Sequence, residues 1–297
     1  MRTPTSRVCA LATALLLSSD AVAALDVFTC EPEWAALTSE LAGDKANIYS
    51  ATTAYQDPHY IQARPSLISK ARRADLLVCT GAGLEEGWLP VLLGRSGNAA
   101  IQPGRSGSLF AHEFVDMIEV PTELDRSHGH VHADGNPHFH VDPRRMLVVA
   151  EQISDRLQQL DSENAAFYLE KFTDFSAGWQ RSIADWEQRA GELDGKKVIS
   201  HHRYWAYLSD WLGFEIVAEL EPVPGVQPSV AHLSSLKETY AEQAEMIIRV
   251  SYSEPRAADW LASRTGLPVA KLPSTVDFQA GQTLEQWYDA LISAMMP

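Results

Sequence analysis

Tyr168, Phe172, Phe175, Trp179, Ile183, Trp186, Ala190 and Leu193 recur at steps of three and four, an apolar and largely aromatic stripe through the middle of the chain. That period is the one a helix uses to keep a single face turned inward. A helix from about Asn164 to Leu193, rising about 1.5 Å per residue, is roughly 43 Å long, more than one small lobe needs. An ordinary core helix would carry such a stripe, and at this length the same helix can serve as a spine between two lobes.

Both flanks of the stripe alternate strand and helix. Before it, Leu25–Cys30 and Asn47–Ala51 are rich in strand formers, and Asp75–Thr80 is the continuous apolar run of a strand buried in a parallel sheet. Helices are predicted over Glu33–Leu41, Leu67–Ala74 and Leu84–Leu93, with a further strand over Phe114–Val120. One helix from Pro143 to about Leu160 then leads into the striped one. After the stripe, strands over Lys197–Ser200, Glu215–Leu220, Met246–Val250 and Val269–Leu272 alternate with helices over Tyr204–Leu212, Ala231–Gln243 and Ala257–Thr265, and Thr283–Met295 closes the chain as a helix. Such spacing makes βαβ units with parallel sheets. The predicted class is α/β: two βα lobes with parallel sheets joined by a long spanning helix, with an N-terminal lobe over 25–143, linking helices over 144–194 and a C-terminal lobe over 195–297.

The first 24 residues read as a secretory signal peptide: Arg2 and Arg7, an apolar run from Val8 to Leu17, and the small-x-small pattern Ala21-Val22-Ala23. Cys30 follows Val27-Phe28-Thr29, which lacks the small residue that a lipoprotein signal places before its cysteine, so the expectation is a soluble periplasmic protein, not a lipoprotein. The formal charge is −15, and −16 once Arg2, Arg7 and Asp20 leave with the leader. An acidic surface of this size argues against nucleic acid or an anionic membrane as partner and suits a cation ligand. Cys30 and Cys79 are then the remaining cysteines, and in an oxidising compartment such a pair is more often a disulfide than a zinc site.

The segment from Ser127 to Pro143, SHGHVHADGNPHFHVDP, holds five of the ten histidines. Neutral imidazole is the commonest ligand for a transition metal, and zinc is the first expectation. Two chemistries compete here. His130, His132 and Asp134 spell HxHxD, the start of a metallo-hydrolase signature, but Gly135 stands where that signature needs another histidine. In GNPHFHVDP, by contrast, Asn136-Pro137 bends the chain, His138 and His140 fall on one side of an extended piece, and Asp142-Pro143 is an N-cap with proline at the first helical position. His128, His130 and His132 read as a solvated histidine-rich loop.

Taken in order, DPHYIQARPS with His59, ADLLVCTGAGLEEGWLP, GNPHFHVDP with His138 and SHHRYWAYLSDWLGF with His202 resemble the metal-binding solute-binding proteins of ABC importers for zinc and manganese. The resemblance implies two four-stranded βα lobes bridged by a long helix, with the metal site in the inter-lobe cleft. It implies His59, His138 and His202 as ligands, His201 being a neighbour, and an aspartate after the last strand as the fourth. Pro273 stands where many zinc carriers have that aspartate, which leaves Asp277 as the expected fourth ligand and Glu254 as its chief competitor. Three imidazoles favour Zn2+ over Mn2+, which prefers carboxylate oxygen. The resemblance further implies a monomer that binds zinc without catalysis and delivers it to an ABC permease. A zinc hydrolase built on HxHxD, and an adhesin or metal buffer on the same fold, are the alternatives.

Overall fold

The computed structural model describes residues 24–122 and 132–296. The leader, His128 and His130 therefore lie outside the described residues. In the first lobe, β1 (Leu25–Thr29), β2 (Ala46–Ser50), β3 (Leu76–Cys79) and β4 (Ser108–Phe110) form a parallel sheet in the order β2-β1-β3-β4. The second lobe repeats the plan, with β5 (Lys197–Ser200), β6 (Glu215–Glu219), β7 (Met246–Val250) and β8 (Val269–Leu272) in the order β6-β5-β7-β8. In each sheet the winding reverses beside the first strand, and parallel sheets bind ligands outside the carboxyl ends of strands at such a switch point. The chain leaves β5 there into His201 and His202.

Helices α1 (Pro32–Ala42), α2 (Pro65–Arg73) and α3 (Leu89–Ser96) belong to the first lobe, and α4 (Pro143–Leu160) and α5 (Ala165–Arg189) lead to the second. There α6 (Ala206–Leu212), α7 (Val230–Tyr240) and α8 (Arg256–Thr265) cover the sheet, and α9 (Leu284–Met295) ends the fold. Asp142 caps α4 by accepting from the Arg144 backbone N–H at 2.9 Å, and Pro143 fills the first helical position. The aromatic stripe from Tyr168 to Trp186 lies on the 25-residue α5, which ends at Arg189, short of the expected Leu193; Ala190 caps it and Leu193 falls in the single turn that follows. Its buried ring atoms find partners at both ends: Trp179 Nε1 donates to the Pro143 carbonyl at 2.8 Å, and Trp186 Nε1 to Asp289 Oδ1 at 2.9 Å. Tyr288 of α9 stacks on Trp186 with centroids 4.8 Å apart. One apolar core consequently runs from Leu25 and Trp34 in the first lobe through Phe139 and Trp179 to Val198 and Trp287 in the second. Each lobe adds a smaller outer cluster of its own, around Leu67 and Trp88 or around Ile199 and Leu261. Among the described residues no helix is long and apolar enough to cross a membrane.

Two expectations fail locally. The strand predicted over Phe114–Val120 is absent, and the fourth strand is the short Ser108–Phe110. The alternation there is real, since Phe114, Val115, Met117 and Ile118 pack on the core. Its backbone, however, pairs outside the sheet: Ile118 N–H donates to Tyr207 Oη of the other lobe at 3.1 Å, and Asn136 N–H donates to the Ile118 carbonyl at 2.9 Å. The helix predicted from Leu84 begins at Leu89, because Gly81, Ala82 and Gly83 all have positive φ and the chain spends that stretch in turns.

Cys30 and Cys79 are joined, with Cα atoms 4.8 Å apart at the ends of the neighbouring strands β1 and β3. The Glu85 carboxylate approaches the two sulfurs, but cysteines bonded to each other have no thiolate to offer a metal. Titrating the unfolded, unreduced full-length chain should find one thiol, that of Cys9. Three thiols would refute the bond.

Candidate metal site

His59 belongs to a single turn, Pro58–Tyr60, that is opened by Asp57. The Asp57 carboxylate does two jobs, accepting from the His59 backbone N–H at 3.0 Å and from its ring Nδ1 at 2.7 Å. A carboxylate can only accept, so the ring proton sits on Nδ1 and Nε2 is left to face the cleft. His202, just past β5, is held the same way, its Nδ1 lying 2.7 Å from Glu221 Oε2. This pairing fixes tautomer and orientation and makes the outward nitrogen a stronger donor to a cation. Burial alone would raise both carboxyls. The hydrogen bond from His59 instead holds Asp57 below its ordinary range, and that from His202 does so for Glu221.

His138 lies between these two rings, with centroids 5.8 Å from His59 and 5.8 Å from His202, edge-on to each. It is 2% exposed and stacks on Tyr204 at 4.1 Å. Burial first, and then the neighbouring histidines, push its pKa well below the usual imidazole value, so it stays neutral and able to bind metal into the acid range. Asn136 shapes the approach: its side-chain oxygen accepts from His138 N–H at 3.0 Å while its amide donates to Glu119 and to the Arg203 carbonyl. Gly135 (φ 106°) is required as well, since a Cβ there would sit 2.8 Å from the Ile118 carbonyl.

His132 joins the same group. Its Nε2 is 3.3 Å from His59 Nε2, with centroids 5.3 Å apart. Two nitrogens each about 2.05 Å from a tetrahedral zinc are roughly 3.3 Å from each other. Gly83 makes room, for a Cβ there would stand 3.0 Å from the His132 ring. The four rings line a cleft of about 810 Å³ between the lobes, together with Asp57, His201 and Glu221.

The structure thus brings His59, His138 and His202 together and leaves Asp277 elsewhere. Asp277 accepts from Tyr55 Oη at 2.8 Å and from the Ala280 backbone N–H at 3.2 Å, capping the turn over Phe278–Ala280, and it does not line the cleft. Proximity in sequence to the last strand misled, because the segment after β8 is pinned against the first lobe. Glu254 reaches the cleft's edge but pairs with Arg256 at 3.3 Å. The sequence pattern alone places His132 in a solvated loop. Its HxHxD spacing was the available signal, but of that motif Asp134 is exposed and outside the cleft lining, and His130 lies outside the described residues. His201, 6% exposed, turns Nε2 toward Glu221 at 3.8 Å.

Known proteins give this arrangement a context. The family model described as "Zinc-uptake complex component A periplasmic" matches residues 27–296. The zinc-binding lipoprotein AdcA of Streptococcus pneumoniae (strain ATCC BAA-255 / R6) is 26% identical over 76% of this chain, which spans only 44% of that protein's length. The manganese ABC transporter substrate-binding lipoprotein PsaA of Streptococcus anginosus is 23% identical over 63% of this chain and 61% of its own. Among solved structures, that of ZnuA superposes with a TM-score of 0.71 at 20% identity, covering 91% of this chain and 96% of the other. The Cd-bound periplasmic metal binding protein from Candidatus Liberibacter asiaticus gives 0.73 at 19%, covering 91% and 97%. At these identities the superpositions establish the fold. The expectation of a soluble protein that is not a lipoprotein is overturned by the curated relatives, which are lipoproteins by name. That expectation rests on the three residues before Cys30 alone, Val27-Phe28-Thr29. With two parallel-sheet lobes on a spanning helix and a family model matched from residue 27 to residue 296, the chain belongs to the ZnuA family.

Proposed function

We propose that this protein captures Zn2+ in the cleft between its lobes and hands it to an ABC permease, with His59, His132, His138 and His202 as ligands. The observation that carries the reading is the gathering of four imidazoles in one cleft, His132 beside His59 and His138 between His59 and His202, with two of the rings oriented by carboxylates. Four nitrogens suit zinc, a borderline-soft ion content with a tetrahedron, better than manganese, which prefers oxygen. The nearby carboxylates of Asp57 and Glu221 are already engaged with the outer sides of His59 and His202. A hydrolytic zinc keeps one position open for water, whereas four side chains close the coordination sphere, so the site suits carriage over catalysis.

Titrating the metal-free protein with zinc and with manganese in competition tests this directly. One zinc per chain, not displaced by excess manganese, is expected. Equal competition by manganese would sink the zinc assignment. Asp57→Asn keeps shape but cannot hold the Nδ1 proton of His59 as a carboxylate does, and should weaken zinc binding roughly tenfold to a hundredfold. Calorimetry on that variant checks the point, an unchanged affinity counting against His59 as a ligand.

A further inference from the structure

The stretch from Pro273 to Asp277 leaves the last strand of the second lobe and is bonded to the first lobe three times. Thr275 Oγ1 donates to Glu33 Oε2 at 2.6 Å, Ser274 Oγ to the Ala54 carbonyl at 3.0 Å, and Tyr55 Oη to Asp277 Oδ2 at 2.8 Å. The first two are buried and bridge more than two hundred residues of sequence. They continue toward the metal site. Tyr204 Oη donates to the Ser274 carbonyl at 2.9 Å, and His140 Nε2 lies 3.1 Å from the same oxygen and 3.0 Å from Tyr204 Oη. His140 Nδ1 faces Glu33 Oε1 at 3.6 Å, and its backbone carbonyl accepts from Tyr288 Oη at 2.5 Å. The Tyr204 ring, fixed by these bonds, is the surface on which His138 stacks.

We infer that Pro273–Asp277 is a clasp between the lobes beneath the cleft, and that Thr275 and Ser274 are positioning residues which, through Tyr204 and His140, set the spacing of the metal ligands carried by different lobes. The zinc part of this inference rests on the function proposed above. The physical reason is the distribution of ligands: His59 and His202 come from opposite lobes, so a change in lobe spacing is a change in coordination geometry. Buried bonds are suited to hold that spacing. Glu33 is 2% exposed, and a carboxylate oxygen deprived of the Thr275 hydroxyl there has no water to turn to. The clasp also accounts for Asp277, whose carboxylate serves the outermost of the three bonds.

Thr275→Val removes the hydroxyl and keeps the shape, and Thr275→Ser restores it. Two readouts apply. In the metal-free protein, the distance between spin labels at Arg72→Cys on the first lobe and Glu238→Cys on the second, in a Cys9→Ser background, should broaden in Thr275→Val and narrow again in Thr275→Ser. In the zinc-loaded protein, a chelator should strip the ion roughly tenfold faster from Thr275→Val, with Thr275→Ser again near the parent. Ser182→Ala, which deletes the exposed α5–α9 bond to Glu285 outside the cleft lining, should move neither readout. If Thr275→Val does not fold, Ser274→Ala carries the same two measurements. An unchanged distance distribution would overturn the clasp whether or not zinc binds. A broadened distribution in a protein that binds no zinc would support the clasp and remove only the zinc reading.

Discussion

His138→Ala is expected to weaken zinc binding by roughly a hundredfold or more, because zinc affinities on the order of 12 kcal/mol shared among four ligands leave about 3 kcal/mol for each, and 1.4 kcal/mol is a factor of ten. His138 should be the most damaging of the four to lose. It stands between His59 and His202 and is the most buried of them, so its removal leaves a cavity that water fills poorly. His132→Ala is the informative companion. Placed 3.3 Å from His59 Nε2, His132 should matter on the scale of the other ligands and not on that of a solvated loop. Isothermal calorimetry with a competing chelator reads both. A His132→Ala variant with parental affinity would reduce the protein's contribution to three imidazoles.

The second large effect concerns stability and involves no metal. Glu31 and Glu85 are each 2% exposed at the carboxyl end of the first sheet. Glu31 Oε2 accepts from Thr80 N–H at 3.2 Å and Thr80 Oγ1 at 3.0 Å, and both Glu85 oxygens accept from Gly81 N–H at 3.2 and 3.1 Å. Burial pushes Glu31 well above the usual carboxylate range, with the charges of Glu85 and Glu33 adding to it, and burial pushes Glu85 up to about 7. The folded state therefore binds a proton that the unfolded chain releases near pH 4.3. A raised carboxyl contributes stability that is fully present below the unfolded pKa and is lost as pH rises through the folded one, so melting temperature should fall between about pH 4.5 and pH 7. The Glu85 displacement from 4.5 to about 7 corresponds to a loss on the order of 3 kcal/mol across that window. Glu31→Gln supplies an amide in place of the second carboxyl. It should leave stability at pH 5 nearly unchanged, raise it at pH 8 by on the order of 1–3 kcal/mol, and flatten the slope between. Scanning calorimetry of the metal-free proteins at both values decides it, and parallel melting curves at all pH values would rule out raised carboxyls at this pair.

Much of this protein follows from local pattern. The stripe from Tyr168 to Leu193 determined a long helix, because residues three and four apart fall on one face whatever surrounds them. Runs such as Asp75–Thr80 determined buried parallel strands, and Asp142-Pro143 determined where a helix begins, because caps and φ restrictions act within a few residues. His59 and His202 each sit beside a short-range turn or strand end, which is why their motifs could be recognised in order. What only the tertiary structure decided are the contacts whose partners are far apart in sequence. Phe114–Val120 alternates like a strand, yet its backbone finds Tyr207 and Asn136 before it finds a sheet. Asp277 follows the last strand as a ligand should, yet Thr275 and Ser274 are drawn to Glu33 and Ala54 and turn it to Tyr55. His132 sits in a polar loop, yet Gly83, nearly fifty residues earlier, leaves the space that lets its ring reach His59. A side chain's chemistry is written at its own position. Which other side chain it meets depends on the packing of two lobes around one shared core, and no window of sequence contains that.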